Sequence, residues 1–334
     1  MSTTYPERHA DRDRFVLDHR GPRPSHDPLR HHGVLVEEER TRSGDIVRAA
    51  TVFLTGRECP WRCVMCDLWR FTLETDTPPG AIPHQIGIAI DELRAPGTPL
   101  PTHIKLYNAG SFFDPRAVPP GDYDAIASHL GQFDHVIVES HPALIGSRVD
   151  DLLAALASQP GPRGVPTLEV AMGLETTNPS ALDRLHKRMT MADFARAADA
   201  LRARGVALRV FLLVFPPFVP PREQELWLGR SVDAAFACGA SAVSLIPLRF
   251  GNGSLEALGP EAAAARPRLK DLERVFESAL DRARGRLFVD LWDLEQIACC
   301  AHCLGERRER LARMNREQQP LPPIACPSCG GSDA

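Results

Sequence analysis

The sequence predicts an α/β chain built on a partial (β/α)6 barrel, with a small four-cysteine module behind it. Three observations carry this. Short, β-branched apolar runs alternate with longer amphipathic stretches from residue 46 onward, the pattern of βαβ units and a parallel sheet. Six such units, with no Gly-x-Gly-x-x-Gly after the first run, suit a barrel better than a dinucleotide-binding sheet. The nine cysteines fall into groups at 59–66 and 299–329, with Cys238 alone. A chain of 334 residues has room for one large domain and an appendage. The expected divisions are an N-terminal arm over 1–45, a barrel over 46–295 and a Cys-rich module over 296–334.

The strands are expected at 46–54, 103–107, 135–138, 167–172, 206–215 and 242–248. Helices are expected near 84–94, 122–131, 147–158, 191–204, 223–238 and 267–284. The first 32 residues are rich in Arg, His and Pro without hydrophobic periodicity, and read as a loosely docked arm. The hydrophobic share of 43% and charged share of 25% exclude fibrous and disordered classes. The start, MSTTYPERHADRDR, lacks the apolar core of a secretory signal. The longest apolar run, Val206 to Val219, is broken by Arg209 and Pro216-Pro217, too short to span a bilayer. A cytoplasmic protein without membrane association is expected, so its cysteines read as metal ligands or reactive thiols before disulfides. A net charge of −4 gives no bulk sign of nucleic-acid binding.

Polar residues cluster just past the strand ends: Cys59 to Cys66, Asn108 to Ser111, Glu139-Ser140 and Glu175. The C-terminal mouth is where α/β barrels place their chemistry. Cys59-Pro-Trp-Arg-Cys63-Val-Met-Cys66 puts three thiolates on one loop after a strand. Three thiolates hold three irons of a [4Fe–4S] cluster and leave the fourth open, whereas structural zinc wants a fourth ligand and a closed shell. A zinc knuckle or reactive-thiol cluster is the plainer reading of the same residues.

With this spacing at this place in the barrel, the chain resembles the radical S-adenosylmethionine (SAM) superfamily from about residue 46 to 250. The resemblance implies a [4Fe–4S] cluster on Cys59, Cys63 and Cys66. It also implies SAM chelated to the open iron, and a 5′-deoxyadenosyl radical that takes hydrogen from substrate. By the same resemblance Met65 packs against the adenine, as an adaptable substitute for an aromatic residue. Asn108, Gly110 and Ser111 stand in the segment that meets the SAM amino group, without its usual acid. Glu139 and Glu175 lie where relatives hold the ribose or methionine part, and Lys187 where a cation pairs with the SAM carboxylate. Glu175 as a helix cap and Lys187 as a solvated charge are the ordinary alternatives. No hydrogen-donating or substrate-positioning catalytic residue is legible.

Cys299-Cys300-Ala-His-Cys303 and Cys326-Pro-Ser-Cys329 form two C-x2-C knuckles. Cys300, Cys303, Cys326 and Cys329 are expected to hold one zinc in a ribbon-like site, with Cys299 and His302 as spares. The rival is an auxiliary iron–sulfur cluster. Between the knuckles, Glu306 to Arg316 carries five arginines against two glutamates. Such a helix suits a phosphate backbone or, equally, a solvated face with intrahelical pairs.

Taken together, Cys59 to Trp69, Tyr107 to Arg116, Val138 to Pro142 and Gly173 to Thr176 most resemble the archaeosine-synthase radical SAM subunit (RaSEA-like) group. That group neighbours the Elongator catalytic-subunit and methylthiotransferase families. The resemblance implies a 7-deazaguanine-type base in transfer RNA, bearing a lysine adduct that becomes an amidine. It also implies a base-modifying partner enzyme and a flavodoxin- or ferredoxin-type electron donor. The acidic balance departs from a stand-alone transfer-RNA enzyme, since phosphate contacts dominate such affinities. The second reading is a radical SAM enzyme of a small-molecule or peptide pathway with an auxiliary cluster in the C-terminal cysteines. A third, a zinc-ribbon scaffold whose barrel has lost its cluster, is opposed by the intact Cys59, Cys63 and Cys66.

Overall fold

The computed structural model describes residues 5–94, 97–298 and 300–329. Cys299 therefore lies outside the described residues. The strands are β1 (Gly33–Arg40), β2 (Ile46–Phe53), β3 (His103–Tyr107), β4 (His135–Glu139), β5 (Thr167–Glu175), β6 (Ala207–Val214), β7 (Ala242–Pro247) and β8 (Arg286–Val289). The helices are α1 (His9–His19), α2 (Ala81–Leu93), α3 (Tyr123–Leu130), α4 (Ser147–Ser158), α5 (Pro179–Arg184), α6 (Met191–Ala203), α7 (Gln224–Ala237), α8 (Pro260–Ala264), α9 (Leu269–Leu280) and α10 (Ala301–Glu317). One eight-stranded sheet runs in sequence order from β1 to β8, parallel throughout except for the antiparallel β1–β2 pair. It curls into a nearly closed barrel whose ends, β1 and β8, do not pair with each other among the described residues.

The six expected strands are present within a few residues of their expected bounds. Two more stand at the edges, β1 inside the expected arm and β8 after α9. The arm is also not loose. Tyr5, Phe15 and Val16 are buried in an apolar cluster with Val64, Leu185, Leu213 and Leu248. Arg12, itself buried, pairs with Asp183 at 2.9 Å. An Arg- and His-rich segment without periodicity still docks because a few apolar side chains and charge-assisted bonds suffice to hold a short helix.

Each parallel strand is buried on both faces, as helices on the outside and packed side chains within require. The outward face is aliphatic: Val52, Ile104, Val136, Val170 and Val210 are fully covered in one cluster with helix residues such as Ile86, Leu152 and Leu201. The lower lumen is ionic instead. Arg209 of β6 bonds Glu169 of β5 at 2.6 Å and also pairs with Glu39 of β1. Lys105 of β3 reaches Glu39 at 2.6 Å, and Arg286 of β8 reaches Glu169 at 2.9 Å. Every one of these charges has an opposite partner, which burial demands.

Where β1 and β8 fail to meet, α10 fills the seam. The side-chain amide of Asn315 accepts from Val289 N at 2.8 Å and donates to Val289 O at 2.9 Å. Gln318 does the same for Leu287, at 2.7 and 2.8 Å. The free edge of β8 is thereby satisfied by side chains rather than by another strand. On the other side, Arg40 of β1 donates to Arg316 O at 3.0 Å.

Candidate active site at the barrel mouth

Past β2 the chain forms a loop bearing Cys59, Cys63 and Cys66, and that loop is clamped from several directions. Val64 N donates to Leu185 O at 3.1 Å, while Asn252 Nδ2 and Ser254 Oγ each donate to Val64 O at 2.9 Å. Asn252 also reaches Cys66 O at 3.3 Å. From the N-terminal segment, Arg20 bonds Glu58 at 2.7 Å and Arg23 pairs with the same carboxylate. Trp61, between the first two cysteines, stacks on His141 with centroids 3.6 Å apart and planes 12° apart. His141 is held in turn by Lys187 O at 3.0 Å, and burial beside the Lys187 charge pushes its pKa down to about 3. Burial raises all three thiols, Cys63 to about 12. Such thiols ionise when a metal takes them.

The other expected site residues gather around this loop, though several are committed to one another. Lys187 Nζ pairs with Glu175 Oε1 at 2.5 Å, both side chains nearly buried. Burial alone would lower the lysine, but Glu175 and the nearby thiol of Cys63 raise it. Glu175 sits at φ 66°, after a register shift at the end of β5. A Cβ at Gly173 would strike both members of the pair, so the bare backbone there makes the pair's seat. Glu139, at the end of β4, accepts from Asn108 N at 2.7 Å. Burial pushes its carboxyl up to about 7, against the backbone amides of Asn108, Ala109 and Gly110. Gly110 is tightly packed, since a Cβ would lie 3.0 Å from Arg57 O. Ser111 is fully buried and already engaged, accepting from His141 N at 2.7 Å and lying 3.0 Å from Ser140 Oγ. Asn108 is the reverse case: its side chain is buried with neither Nδ2 nor Oδ1 bonded, an exception among native polar groups that invites a ligand. Met65 packs at the edge of the apolar cluster that includes Leu248, as does Ile246.

Below the cysteine loop the lumen opens into a cavity of about 610 Å³ reaching from Glu139, Ala109 and Asp67 to Glu39 and Arg209. Its walls include Phe53, Phe71, Tyr107, Phe211, Phe288 and Trp292. Acids outnumber bases along them: Glu37, Glu38, Glu39, Asp67, Glu139, Asp290 and Asp293 against Lys105, Arg209, Arg249 and Arg316. Ala312, Asn315 and Arg316 of α10 complete the enclosure.

The C-terminal knuckles converge. The sulfurs of Cys300, Cys303, Cys326 and Cys329 all lie within 4.8 Å of one another, the one such group of metal-ligating side chains among the described residues. Cys300 and Cys326 sulfurs are 3.9 Å apart, and those of Cys303 and Cys329 3.8 Å. Arg307 Nε donates to the Cys303 sulfur at 3.2 Å. The arginines of α10 are not arrayed for a phosphate backbone. Arg307 and Arg310 pair with Glu273, Arg308 with Glu295, Arg313 with Glu317 and Arg316 with Glu309 and Glu38. Nor are they mainly intrahelical, because three of these five acids, Glu273, Glu295 and Glu38, come from other elements.

Sequence reasoning missed Arg20, Arg23, His141, Asn252 and Ser254 as supports of the loop. Each is distant in sequence from the residue it holds, and no local pattern marks it.

No family model matches the chain. Archaeosine synthase subunit beta of Methanosarcina acetivorans is 30% identical over 182 residues, covering 53% of this chain and 50% of that protein. The subunit of the same name from Thermococcus kodakarensis is 27% identical over 165 residues, 48% of each. The chain spans about half the length of these curated relatives. Among solved structures, Elp3 of the archaeon Methanocaldococcus infernus, lacking its residues 1–46, superposes with a TM-score of 0.52 at 14% identity. That match covers 73% of this chain and 62% of the other, and speaks for the fold. With a three-cysteine loop at the mouth of its barrel, the chain is similar in sequence to archaeosine synthase beta subunits over about half its length and shares its fold with Elp3.

Proposed function

We propose that the chain is a radical SAM enzyme acting on a 7-deazaguanine-type base in transfer RNA. The observation that carries the first half is the donor set at the barrel mouth. Three thiols share one clamped loop, Cys63 buried and Cys59 and Cys66 partly so, with the Lys187 charge acting on Cys63. That set fits a [4Fe–4S] cluster with an open iron, and the unbonded buried amide of Asn108 beside Glu139 fits a bound polar ligand. Cys59, Cys63 and Cys66 would hold the cluster. Bound there, it supplies the electron that splits SAM into methionine and a 5′-deoxyadenosyl radical. The chain's own residues seat the cofactor. Lys187 carries the positive charge suited to the SAM carboxylate, and Asn108 offers a free donor and acceptor to its amino group. Glu139, fixed by backbone amides, and Glu175 accept from hydroxyls or ammonium. Met65 and Ile246 give the adenine an apolar face. The lumen walls keep water from the reacting centre.

The base reading is supported by the relatives and by the character of the lumen. A cavity of about 610 Å³ is of ligand size. Its aromatic walls suit a flat ring, and its surplus of carboxylates suits the N–H edge of a guanine-like base or an appended amine. One observation favours a second reading, a free small molecule as substrate: the arginines of α10 are engaged within the protein rather than offered to phosphate.

For the C-terminal site we favour zinc over an auxiliary cluster. A tetrahedral ion with Zn–S bonds of about 2.3 Å sets its thiolates about 3.8 Å apart. Two of the sulfur pairs lie at 3.8 and 3.9 Å, and all four sulfurs lie within 4.8 Å of one another. Thiolates on separate irons of a cubane radiate away from one another and stand farther apart.

The test is anaerobic purification beside a Cys59→Ala, Cys63→Ala, Cys66→Ala triple variant, followed by assay for 5′-deoxyadenosine with and without transfer RNA. About four irons lost in the variant, with about one zinc kept in both, supports the two metal assignments. Formation of 5′-deoxyadenosine that rises with transfer RNA supports the substrate. A rise with small metabolites and none with any RNA replaces it with the second reading.

A further inference from the structure

We propose that the four-thiolate knuckle is a positioning site for the substrate chamber: by fixing α10, it builds the wall that closes the open barrel. The functional half of this inference rests on the lumen being the substrate chamber, and the structural half does not.

Among the described residues β8 and β1 do not pair, and α10 stands in the gap with Ala312, Asn315 and Arg316 lining the cavity. A helix this polar does not hold itself there. Its fully covered apolar side chains are Leu311 and Met314, a narrow stripe for seventeen residues, and most helical stability in proteins comes from packing an amphipathic face. What fixes it instead is a chain of polar links running from the cysteines to the seam. Cys300 is the N-cap of α10, without a side-chain cap bond, and Cys303 lies in its first turn. At Gln318, φ 56°, the chain turns back. The returning segment is stitched to the helix where Arg310 donates to Pro322 O at 2.7 Å and Arg307 to Ile324 O at 3.3 Å. That segment brings Cys326 and Cys329 onto Cys300 and Cys303. One ion on the four sulfurs therefore ties the start of α10 to the extended segment that returns from its end. Arg307 links the cluster to the barrel wall, bonding Cys303 sulfur on one side and pairing with Glu273 of α9 on the other. At the far end Asn315 and Gln318 satisfy both the N–H and the C=O of Val289 and Leu287 along the free edge of β8.

The test is hydrogen exchange on the full chain, purified anaerobically with its iron content verified, comparing wild type with a Cys326→Ala, Cys329→Ala double variant. Exchange over 286–292 and 312–318 is expected to rise at least about tenfold, with β4 unchanged, as for local rather than global opening. An Asn315→Ala, Gln318→Ala double variant, which retains its zinc, is expected to give the same rise over 286–292. Unchanged exchange at β8 in the cysteine variant overturns the proposal. So does a rise spread evenly over β3 to β5, which would make the site a prop for the whole barrel. In turnover, both double variants are expected to raise KM for the transfer-RNA substrate more than they lower kcat. If the exchange result holds but no RNA is turned over, the wall stands and the substrate reading falls.

Discussion

At the scale of single residues, the site shows how few of its members were readable as to contact even where they were readable as to place. Lys187 and Glu175 were each expected at the cofactor, yet twelve positions apart in sequence they form one ion pair. Nothing in Leu-His-Lys-Arg or Gly-Leu-Glu-Thr announces the pairing, because it depends on Glu175 adopting φ 66° over the bare Gly173. The pair makes a firm prediction. Lys187→Met leaves a buried carboxylate without its partner and is expected to cost about 3–5 kcal/mol of stability. Adding Glu175→Gln removes the orphaned charge, so the double variant is expected to recover most of that loss. Urea unfolding of the apo chains checks this, and a double variant as unstable as Lys187→Met would show that the lysine acts through other contacts. SAM binding, measured separately, is expected to fall in both variants, since the cation is gone from both.

At the scale of elements, the cysteine loop was legible from its spacing and the strand before it, while its supports were not. In the proposed reading three thiols reach one cluster from a loop, so their separations are written locally. The clamps come from the segment after α1, the segment after β7 and the turn after α5, placed by the barrel and by no periodicity. Asn252 is the clearest case, a fully buried amide that meets Val64 O and Cys66 O and accepts from Leu255 N at 2.7 Å. Asn252→Ala is expected to cost about 1–3 kcal/mol by leaving buried carbonyls unpaired. Its more telling effect is expected on the loop: slower reconstitution and faster loss of iron on dilution into chelator, with the C-terminal zinc retained. Equal loss from both metal sites would mean that the substitution merely loosens the fold. The same contrast explains the edge strands. Glu37-Glu38-Glu39 in β1 reads as a solvated charge run, and β8 is four residues long. Both become strands because the sheet offers them an edge to pair with.

At the scale of the whole molecule, the barrel divides into an aliphatic outer layer between strands and helices, readable as β-branched runs, and an ionic lower lumen whose pairings no local pattern predicts. Glu39 and Glu169 meet Lys105, Arg209 and Arg286 only when β1, β3, β5, β6 and β8 are all in register. That makes the closed sheet pH-sensitive in a definable direction. Burial alone would raise Glu39, but Arg209 and Lys105 hold it down at about 2. Glu169, also buried, is held well below its usual value by Arg209 and His135. A carboxylate whose folded pKa is depressed stabilises the fold above its unfolded pKa, and that stability disappears as pH falls toward the folded value. Glu139 works oppositely. Raised to about 7, it binds its proton more tightly when folded, so its contribution declines as pH rises from about 4.5 to about 7. Between about pH 4.5 and pH 2, then, stability of the apo chain is expected to fall steeply, with the lower lumen supplying the slope. Glu39→Gln lowers stability at neutral pH, because Arg209 and Lys105 lose a charged partner, but it is expected to flatten the acid limb. Urea midpoints measured at half-unit steps across that window distinguish the cases. Parallel curves for wild type and variant would place the acid sensitivity elsewhere, whereas converging curves locate it in the ionic layer that closes the bottom of the barrel.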